Sequence, residues 1–257
     1  MIIYANDFVG NEITALGYYE SEELNVTMSF LAPFHERFLK STAIDAGANI
    51  GNHSIFFSRY FEKIIAIEPH PTTFSLLSLN SRFHSNIIPK NLACSSSEAT
   101  LELVEDQANM GASKISNISD GTGSININAK PIDSIIDETE DVSMIKLDIE
   151  GHELEALWGS LKCIERHRPI IIIEQREDDF TENETPAITF LRTRGYHFFA
   201  HKKGVHARSS ITHGFQIIFE LIFGRTHRVS ECRSVSKGFY PMLIAIHQEH
   251  IIELNNR

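Results

Sequence analysis

Short apolar runs alternate along the chain with longer segments of mixed polarity. The runs at residues 63–67, 144–147 and 169–173 are rich in apolar residues, chiefly isoleucine, which is typical of strands that are buried on both faces of a sheet. Several of the longer segments repeat leucine or phenylalanine every three or four residues, the spacing of an amphipathic helix. This alternation predicts an α/β fold with a doubly wound parallel sheet.

Two helices can be placed from the same pattern. Residues 71–85 predict a helix, because proline at position 71 suits a first helical turn. A later helix is predicted to begin at Glu153, with Leu154, Leu157 and Leu161 on one face. Both helices follow predicted strands, as the alternating fold requires.

The middle of the chain is less regular. Residues 87–94 predict a third strand, and residues 100–104 predict an added strand. Residues 117–128 are rich in serine, asparagine and glycine, a composition typical of surface loops. We predict a mobile loop there, and the pattern leaves open whether it folds over a substrate or is disordered without a function.

The two ends of the chain depart from the alternation. Residues 1–42 precede the first strand and are predicted to form a lead-in, and residues 43–257 then form the main domain. The last strand, residues 240–246, follows an unusually long connection, residues 200–239. Apolar residues recur in that connection at helical spacing: Ile211, Phe215, Ile218, Ile222 and Phe223. The connection is predicted to be a basic helical insertion before the last strand.

Charge is distributed unevenly along the chain. The whole chain has a net charge of −11, which argues against a general nucleic-acid-binding protein. Residues 192–237 nevertheless contain nine basic and two acidic residues, a local net charge of +7. A basic amphipathic helix can lie on an anionic membrane surface or dock to a partner, and it can also pack on its own domain as a lid. The sequence leaves these interpretations open.

Cysteine content and hydropathy bear on the compartment. The three cysteines, Cys94, Cys163 and Cys232, are widely spaced and form no CxxC pair, so neither a disulfide framework nor a zinc ribbon is expected. A reducing, cytoplasmic compartment is therefore predicted. The first residues lack the basic region and the apolar core of a signal peptide. The apolar run at 214–224 is too short and too polar to span a bilayer.

The most informative stretch runs from residue 43 to residue 53. Asp45 comes at the carboxyl end of a predicted strand, and Gly47 and Gly51 allow the backbone to turn sharply and approach a ligand. A dinucleotide site has three glycines in the spacing G-x-G-x-x-G, so that a pyrophosphate can rest on a helix N-terminus, whereas this turn reads D-x-G-x-x-x-G. An acid beside the turn repels phosphate and suits a cationic ligand, such as an amino-acid ammonium.

A second acid follows the next strand. Glu68 comes directly after residues 63–67, the usual position of a carboxylate that accepts hydrogen bonds from a ribose diol. Asp45 and Glu68 together fit S-adenosylmethionine (SAM) better than a nicotinamide dinucleotide. The alternative is a structural turn in which Glu68 caps a helix. Asn91, in the third strand, suits an adenine or ribose edge and the capping of a turn equally well.

Acidic residues also follow the strand at residues 144–147. Asp148, Glu150 and His152 come after it, and the carboxyl ends of strands in a doubly wound sheet face one crevice near the switch of strand order. Two acids and an imidazole are candidates for a general base at neutral pH. The acids could instead bind a divalent cation through oxygen, although no metal ion is assigned to the site. Glu174 ends a further strand at the same edge.

These motifs together resemble a known family. The runs at residues 44–53, 67–69, 91–93 and 145–153 are similar in order and spacing to those of the FkbM-type SAM-dependent methyltransferases. The similarity extends over about residues 8–199. Either of the motifs D-x-G-A-N-x-G and D-x-E-G-x-E would be weak alone, but the pair in this order is specific.

The resemblance implies a Rossmann-like sheet of seven strands, with the last strand antiparallel, and SAM as the cofactor. It also implies O-methylation of a hydroxyl of a small molecule, a sugar or a glycan. The methionine part of SAM would be lined by Gly47, Asn49 and Gly51, and Asn52 would also bind the cofactor. Glu68 would bind the ribose, and the cluster of Asp148 and Glu150 would face the acceptor.

Other functions are compatible with parts of the sequence. An NAD-dependent oxidoreductase would need the missing third glycine. A non-catalytic protein with a SAM-binding fold could dock to a membrane or a partner through residues 200–239. Methylation of nucleic acid is disfavoured, because the chain has no [ND]-P-P-[YFW] motif and is acidic. The sequence identifies neither the acceptor nor the oligomeric state.

Overall fold

The lead-in to the first strand is helical. The computed structural model of the chain describes residues 1–4, 8–104, 114–116, 124–181, 184–202 and 228–255. The lead-in contains α1 (Phe8–Leu16), α2 (Ser21–Phe30), a 3-10 turn at Ala32–Phe34 and α3 (His35–Phe38). The buried side chains of Leu24, Leu31 and Phe38 share a hydrophobic cluster with residues of the central sheet. The lead-in therefore packs on the sheet, and the domain boundary at residue 42 stays a prediction.

Strands and helices alternate through the rest of the described chain. The strands are β1 (Thr42–Ala46), β2 (Lys63–Ile67), β3 (Ile87–Lys90), β4 (Ala93–Cys94), β5 (Ala99–Val104), β6 (Lys114–Ser116), β7 (Ser124–Lys130), β8 (Val142–Leu147), β9 (Ile170–Gln175), β10 (Tyr196–Lys202), β11 (Arg228–Cys232) and β12 (Tyr240–His247). The helices are α4 (Asn52–Phe57), α5 (Pro71–Ser81), α6 (Glu153–Trp158), α7 (Leu161–His167), α8 (Pro186–Arg192) and α9 (Ile251–Asn255), with 3-10 turns at Ile132–Ser134, Glu177–Asp179 and Gln248–His250.

Among the described residues, eight strands form the central sheet, in the order β11-β10-β12-β9-β8-β1-β2-β3. Strands β3, β2, β1, β8 and β9 are parallel, and β12 runs antiparallel between β9 and β10. The predicted Rossmann-like sheet with an antiparallel last strand is confirmed. It has one strand more than the predicted seven, because β11 pairs with β10 at the edge.

Only part of the insertion before β12 belongs to the described residues. Its described end contains β11, so this end is extended and not helical. The amphipathic helix predicted from the apolar spacing falls within residues 203–227, which lie outside the described residues. Within the described ranges, no helix has both the length and the apolarity of a membrane span.

A second sheet, in the order β4-β7-β5-β6, is inserted between β3 and β8 in the sequence. Its small core consists of Ala93, Leu103, Ile127 and Ala129. The strand predicted at residues 100–104 is confirmed as β5. Two other predictions are wrong here: the third strand ends at Lys90, and part of the predicted loop at 117–128 belongs to β7. The polar composition of β7 conceals its inward-facing positions, because only one face of this sheet is buried.

The helix predicted from Glu153 is divided in two. Helix α6 ends at Trp158, and α7 begins at Leu161. Between them, a Cβ atom on Gly159 would lie 2.0 Å from the carbonyl oxygen of Ser95. Backbone therefore packs directly against backbone at this point, a contact that the leucine spacing does not indicate.

The order of strands reverses between β1 and β8. From β1 the chain proceeds to β2 and β3 on one side, and later to β8 and β9 on the other. The connections diverge above the carboxyl ends of β1 and β8, which leaves a crevice there. The amide of Asp148 donates a hydrogen bond of 3.1 Å to the carbonyl oxygen of Ala46, so the segment after β8 lies against the turn after β1.

Candidate active site

The turn after β1 is built on positive backbone torsions. The φ angles of Gly47, Asn49 and Gly51 are 77°, 50° and 94°. The amide of Gly47 donates to the carbonyl oxygen of Ile67 at 3.0 Å, which ties the turn to the end of β2. A Cβ atom on Gly47 would lie 1.7 Å from the carbonyl oxygen of Asp148. Only glycine fits at this position.

Glu68 lies beside this turn at the end of β2. Its carboxylate accepts hydrogen bonds from the backbone amides of Asn49, at 3.0 Å, and His70, at 2.9 Å. Burial raises the pKa of Glu68 to about 7, although these two hydrogen bonds oppose the shift. The side chain of Asn91 donates to the carbonyl oxygens of Glu68 and Pro69, at 2.9 and 3.0 Å. The Asn91 side chain thus supports this turn, and its contact with the cofactor stays a prediction.

A pocket opens at the carboxyl ends of β1, β2 and β8. Six of the predicted site residues line it: Gly47, Asn49, Asn52, Glu68, Asp148 and Glu150. The lead-in and the second sheet also contribute to its wall, through Tyr19, Cys94 and Leu103. The predicted site residues outside this lining are Asp45, Gly51, Asn91 and His152. The structure therefore brings the acid after β2 and two acids after β8 to one pocket.

Asp45 lies beneath the pocket, in the interior. Its Oδ2 accepts from the hydroxyl of Ser54 at 2.6 Å, and its Oδ1 lies 3.6 Å from Nζ of Lys146. The same ammonium donates to Asp148 at 3.0 Å. Burial alone would lower the pKa of Lys146, but the carboxylates of Asp148 and Asp45 raise it above its ordinary value. Asp45 therefore faces an ammonium of the protein itself, and its contact with a ligand ammonium stays a prediction.

Asp148 is the centre of a charged cluster in the pocket wall. Its carboxylate accepts a hydrogen bond from Nζ of Lys146 at 3.0 Å. Glu174, near the end of β9, is close in the sheet, because the preceding residue, Ile173, pairs with Leu147 of β8. Burial alone would raise the pKa of Asp148, but the Lys146 ammonium lowers it. Arg176 forms an ion pair with Glu150, and its Nε lies 3.5 Å from a carboxylate oxygen of Glu174. The acids after β8 and in β9 are thus held by two cations.

The lead-in enters the site through Tyr19 and Glu20. The Asn52 side chain pairs with the backbone of Tyr19, accepting from its amide and donating to its carbonyl oxygen at 3.0 Å each. His53 Nε2 lies 3.3 Å from Glu20 Oε2, and the His53 ring stacks on Tyr19 with 6.4 Å between centroids. His53 lines the pocket but is absent from the predicted site residues. Its position just after the glycine motif could have indicated a site residue. Its contact with Glu20 could not be predicted, because the two residues are far apart in the sequence.

His152 lies apart from the charged cluster. Its Nε2 is 3.2 Å from the hydroxyl of Ser95, and its Nδ1 is 3.8 Å from a carboxylate oxygen of Glu155. Burial lowers the pKa of His152, and the neighbouring Glu155 opposes the shift. Of the three candidates for a general base, Asp148 and Glu150 reach the pocket wall and His152 does not. The catalytic role of each stays a prediction.

Known proteins are similar to the region of the chain that contains this site. The model of the methyltransferase FkbM domain matches residues 45–198. Hexuronic acid methyltransferase AglP of Haloferax volcanii is 32% identical over 132 residues, which are 50% of this chain and 53% of that protein. Methyltransferase 1 of Beauveria bassiana is 27% identical over 154 residues, with 50% of this chain and 61% of that protein covered. The matches thus span little more than half the length of these relatives.

Solved structures give weaker overall similarity. The methyltransferase FkbM of Methylobacillus flagellatus is 25% identical and superposes with a TM-score of 0.39, covering 52% of this chain and 32% of that one. An rRNA methylase of Streptococcus thermophilus superposes with a TM-score of 0.46 at 9% identity, covering 87% of this chain and 97% of that one. The family match therefore rests on residues 45–198.

Proposed function

This chain belongs to the FkbM methyltransferase family, and we propose that it transfers a methyl group from SAM to a hydroxyl oxygen of a small molecule or a saccharide. The region that matches the family, residues 45–198, contains the glycine turn, Glu68 and the cluster around Asp148. The observation that carries the proposal is the pocket that these features share at the switch of strand order.

The pocket has groups that suit SAM. Besides the two amide hydrogen bonds, the Glu68 carboxylate has lone pairs that can accept from a ribose diol. The bare backbone of Gly47 allows the methionine part to approach closely. Ile67, Cys94 and Leu103 give an apolar wall of the kind that an adenine ring requires. When bound, SAM supplies a methyl group on a sulfonium sulfur. The neutral thioether that remains after transfer is a good leaving group.

Asp148 is the base that we propose for the reaction. As the acceptor oxygen forms a bond to the methyl carbon, the bond from that carbon to sulfur breaks, S-adenosylhomocysteine (SAH) is left, and the hydroxyl proton must go to a base. Asp148 lines the pocket and is held ionised by Lys146. Glu150 lines the same pocket and is the alternative base. Much of the acceleration would come from holding acceptor and donor in line.

A saccharide acceptor is supported by one relative. The Haloferax volcanii protein is, by its name, a methyltransferase of a hexuronic acid. The carboxylates of Asp148 and Glu150 in the pocket wall are suitable acceptors for sugar hydroxyls. A nucleic-acid acceptor is not proposed, because the net charge of the chain is −11. The cytoplasmic location and the contact of residues 200–239 with a membrane stay predictions.

Calorimetric titration with SAH tests the cofactor. We expect micromolar binding by the wild-type protein and binding about 10- to 100-fold weaker by Glu68→Ala, because a hydrogen bond to a charged group contributes about 1.5–3 kcal/mol. The matched control is Glu62→Ala, since Glu62 is exposed just before the other end of β2. It should bind SAH as the wild type does.

The outcomes of this titration separate the alternatives. Equal SAH affinity in Glu68→Ala and the wild type would remove the ribose role of Glu68. No binding by a protein shown to be folded would remove the methyltransferase proposal and favour a non-catalytic docking protein. Binding followed by transfer of labelled methyl groups to hydroxyl acceptors, in a screen of sugars and glycans, would establish the activity.

Removal of metal ions is expected to leave turnover unchanged. The acids that could hold a divalent cation already contact Lys146 and Arg176, and among the described residues no three acidic, histidine or cysteine side chains converge as metal ligands do. Turnover is compared before and after treatment with EDTA, with Mg²⁺ added back as the control. A loss on chelation that Mg²⁺ restores would show that the acids bind a metal ion.

A further inference from the structure

Lys146 is a deeply buried lysine that contacts acids of two neighbouring strands. It lies in β8 directly beside Asp45 of β1, and Asp148 follows two positions later on the same face, because side chains alternate along a strand. Nζ of Lys146 donates to Oδ2 of Asp148 at 3.0 Å and lies 3.6 Å from Oδ1 of Asp45. An ammonium buried this deeply is costly unless acids compensate its charge. The two carboxylates therefore hold it in place.

Asp45 is the interior partner of this ammonium. Its side chain is 1% exposed, and its Oδ2 accepts from the hydroxyl of Ser54 at 2.6 Å. Its Oδ1 has no hydrogen-bond donor within the described part of the chain, so the charge of Lys146 is what compensates this oxygen. Asp148, by contrast, is 33% exposed and lines the pocket. Lys146 thus links a carboxylate of the interior to a carboxylate of the pocket.

We infer that Lys146 is a positioning residue that orients the Asp148 carboxylate for methyl transfer, and that Asp45 acts with it by holding the ammonium from the neighbouring strand. Because Oδ2 of Asp148 is engaged by Lys146, the carboxylate cannot rotate freely, and Oδ1 is the oxygen that takes the acceptor proton. A reacting group held in one orientation reacts faster than a mobile one. The inference rests on the proposed function, in which Asp148 is the base.

Other titratable groups act on these three residues through their charge. They are Tyr19 and Glu20 of the lead-in, His53 of α4, Glu68 after β2, Glu150 after β8, and Glu174 and Arg176 at the end of β9 and after it. Burial alone would raise the pKa of Asp148, and the ammonium of Lys146 is the largest effect that lowers it. Removal of this ammonium is therefore expected to raise the pKa of Asp148.

Methionine at position 146 tests the orientation of the base. Lys146→Met removes the ammonium and keeps a long side chain, and we expect kcat at pH 7 to fall by about 10- to 100-fold, the cost of a displaced reacting group. Asp148 is a base only when ionised, so turnover is lost as the pH falls through its pKa. The acid limb of the pH profile should therefore move to higher pH in Lys146→Met. A purely structural role of Lys146 would lower turnover without this shift.

A double-mutant cycle tests whether Asp45 acts through Lys146. We expect Asp45→Asn to lower kcat by about 10-fold in the wild-type background, as coupled members of one charged network do, and to lower it no further in Lys146→Met. The double variant should also be more stable than Lys146→Met, because no uncompensated carboxylate stays buried. If Asp45→Asn lowers kcat equally in both backgrounds, Asp45 does not act through Lys146. Weaker SAH binding with unchanged kcat would instead assign Asp45 to the ligand ammonium.

The matched control is Lys63→Met. Lys63 is also a strand lysine of this sheet and also forms an ion pair, with Glu140, but it begins β2 at the end remote from the pocket. The same substitution there should keep the kcat and the acid limb of the wild type. An acid limb that moves equally in Lys63→Met and Lys146→Met would show a general loss of stability and overturn the inference.

A measurement without an acceptor separates this inference from the proposed function. Carboxyl-carbon NMR of protein labelled with ¹³C-aspartate identifies the signal of Asp148 by comparison with Asp148→Asn. We expect Asp148 to titrate below the ordinary value of 3.8 in the wild type and above it in Lys146→Met. Titration at the same pH in both proteins would overturn the inference alone. The expected shift in a protein that binds SAH but methylates no hydroxyl would overturn the proposed function and, with it, the positioning role.

Discussion

Replacing Gly47 with alanine is expected to abolish the binding of SAH and to lower the free energy of unfolding by about 4 kcal/mol, the upper range for single substitutions. The new Cβ would lie 1.7 Å from the carbonyl oxygen of Asp148 and 2.8 Å from its carbonyl carbon. Both are backbone atoms and cannot rotate away. The φ of 77° adds strain of about 1 kcal/mol for a residue with a Cβ. The turn after β1 must therefore move, and the pocket wall moves with it.

Two other glycines separate strain from collision. Gly17 has a φ of 87°, and nothing lies within 4 Å of its added Cβ, so Gly17→Ala reports strain alone. At Gly159 the added Cβ would lie 2.0 Å from the carbonyl oxygen of Ser95, so Gly159→Ala reports a backbone collision outside the pocket lining. We expect Gly17→Ala to lose about 1 kcal/mol of stability and to bind SAH normally.

Urea denaturation and SAH calorimetry on these variants give a clear decision. Gly159→Ala should lose stability while the folded fraction keeps its affinity for SAH. Gly47→Ala should lose both. If Gly47→Ala retains wild-type stability and affinity, the turn after β1 does not approach the carbonyl of Asp148 as closely as the structure shows. If Gly47→Ala is as stable as the wild type but does not bind SAH, the turn after β1 moves away from Asp148 and changes the pocket without destabilising the fold.

The part of the fold that could be predicted is the part buried on both faces. Strands β2 and β9 are almost continuous runs of isoleucine, so sequence alone locates them. The second sheet has only one buried face, and β7 presents its apolar positions between serine and asparagine. The division between α6 and α7 depends on the contact of Gly159 with Ser95, which is distant in sequence. Such a contact leaves no periodic signal.

The site residues that directly follow strands could be predicted from the sequence. Glu68 and Asp148 come after apolar runs, and parallel strands bring such ends to one edge. The contact of His53 with Glu20 depends on how the lead-in packs, so spacing cannot reveal it. Asp45 was assigned to a ligand ammonium by its charge. The structure shows that Lys146, buried in β8, supplies an ammonium from the protein itself. A lysine inside an apolar strand is not expected to be buried, so the sequence did not indicate this contact.

Replacing Asp148 with asparagine is expected to lower turnover by about 10²- to 10⁴-fold, the range that a general base contributes. Asparagine keeps the shape and can still accept from Lys146, but its amide cannot take the acceptor proton. Asp148→Ala should show the same loss of turnover, with lower stability, because Lys146 would keep only Asp45 at 3.6 Å. Affinity for SAH should change little, since the proposed contact of Asp148 is with the acceptor.

Glu150→Gln is the matched variant for this test. Glu150 also lines the pocket and is also held by a cation, Arg176, so the two substitutions differ mainly in which carboxylate loses its charge. Turnover, SAH affinity and thermal stability are measured for both. A larger loss of turnover in Glu150→Gln would move the base to Glu150. If Asp148→Asn weakens SAH binding as much as turnover, Asp148 contacts the cofactor and is not the base. Another group of the pocket must then accept the proton, and His53, which lines the pocket, is a further candidate.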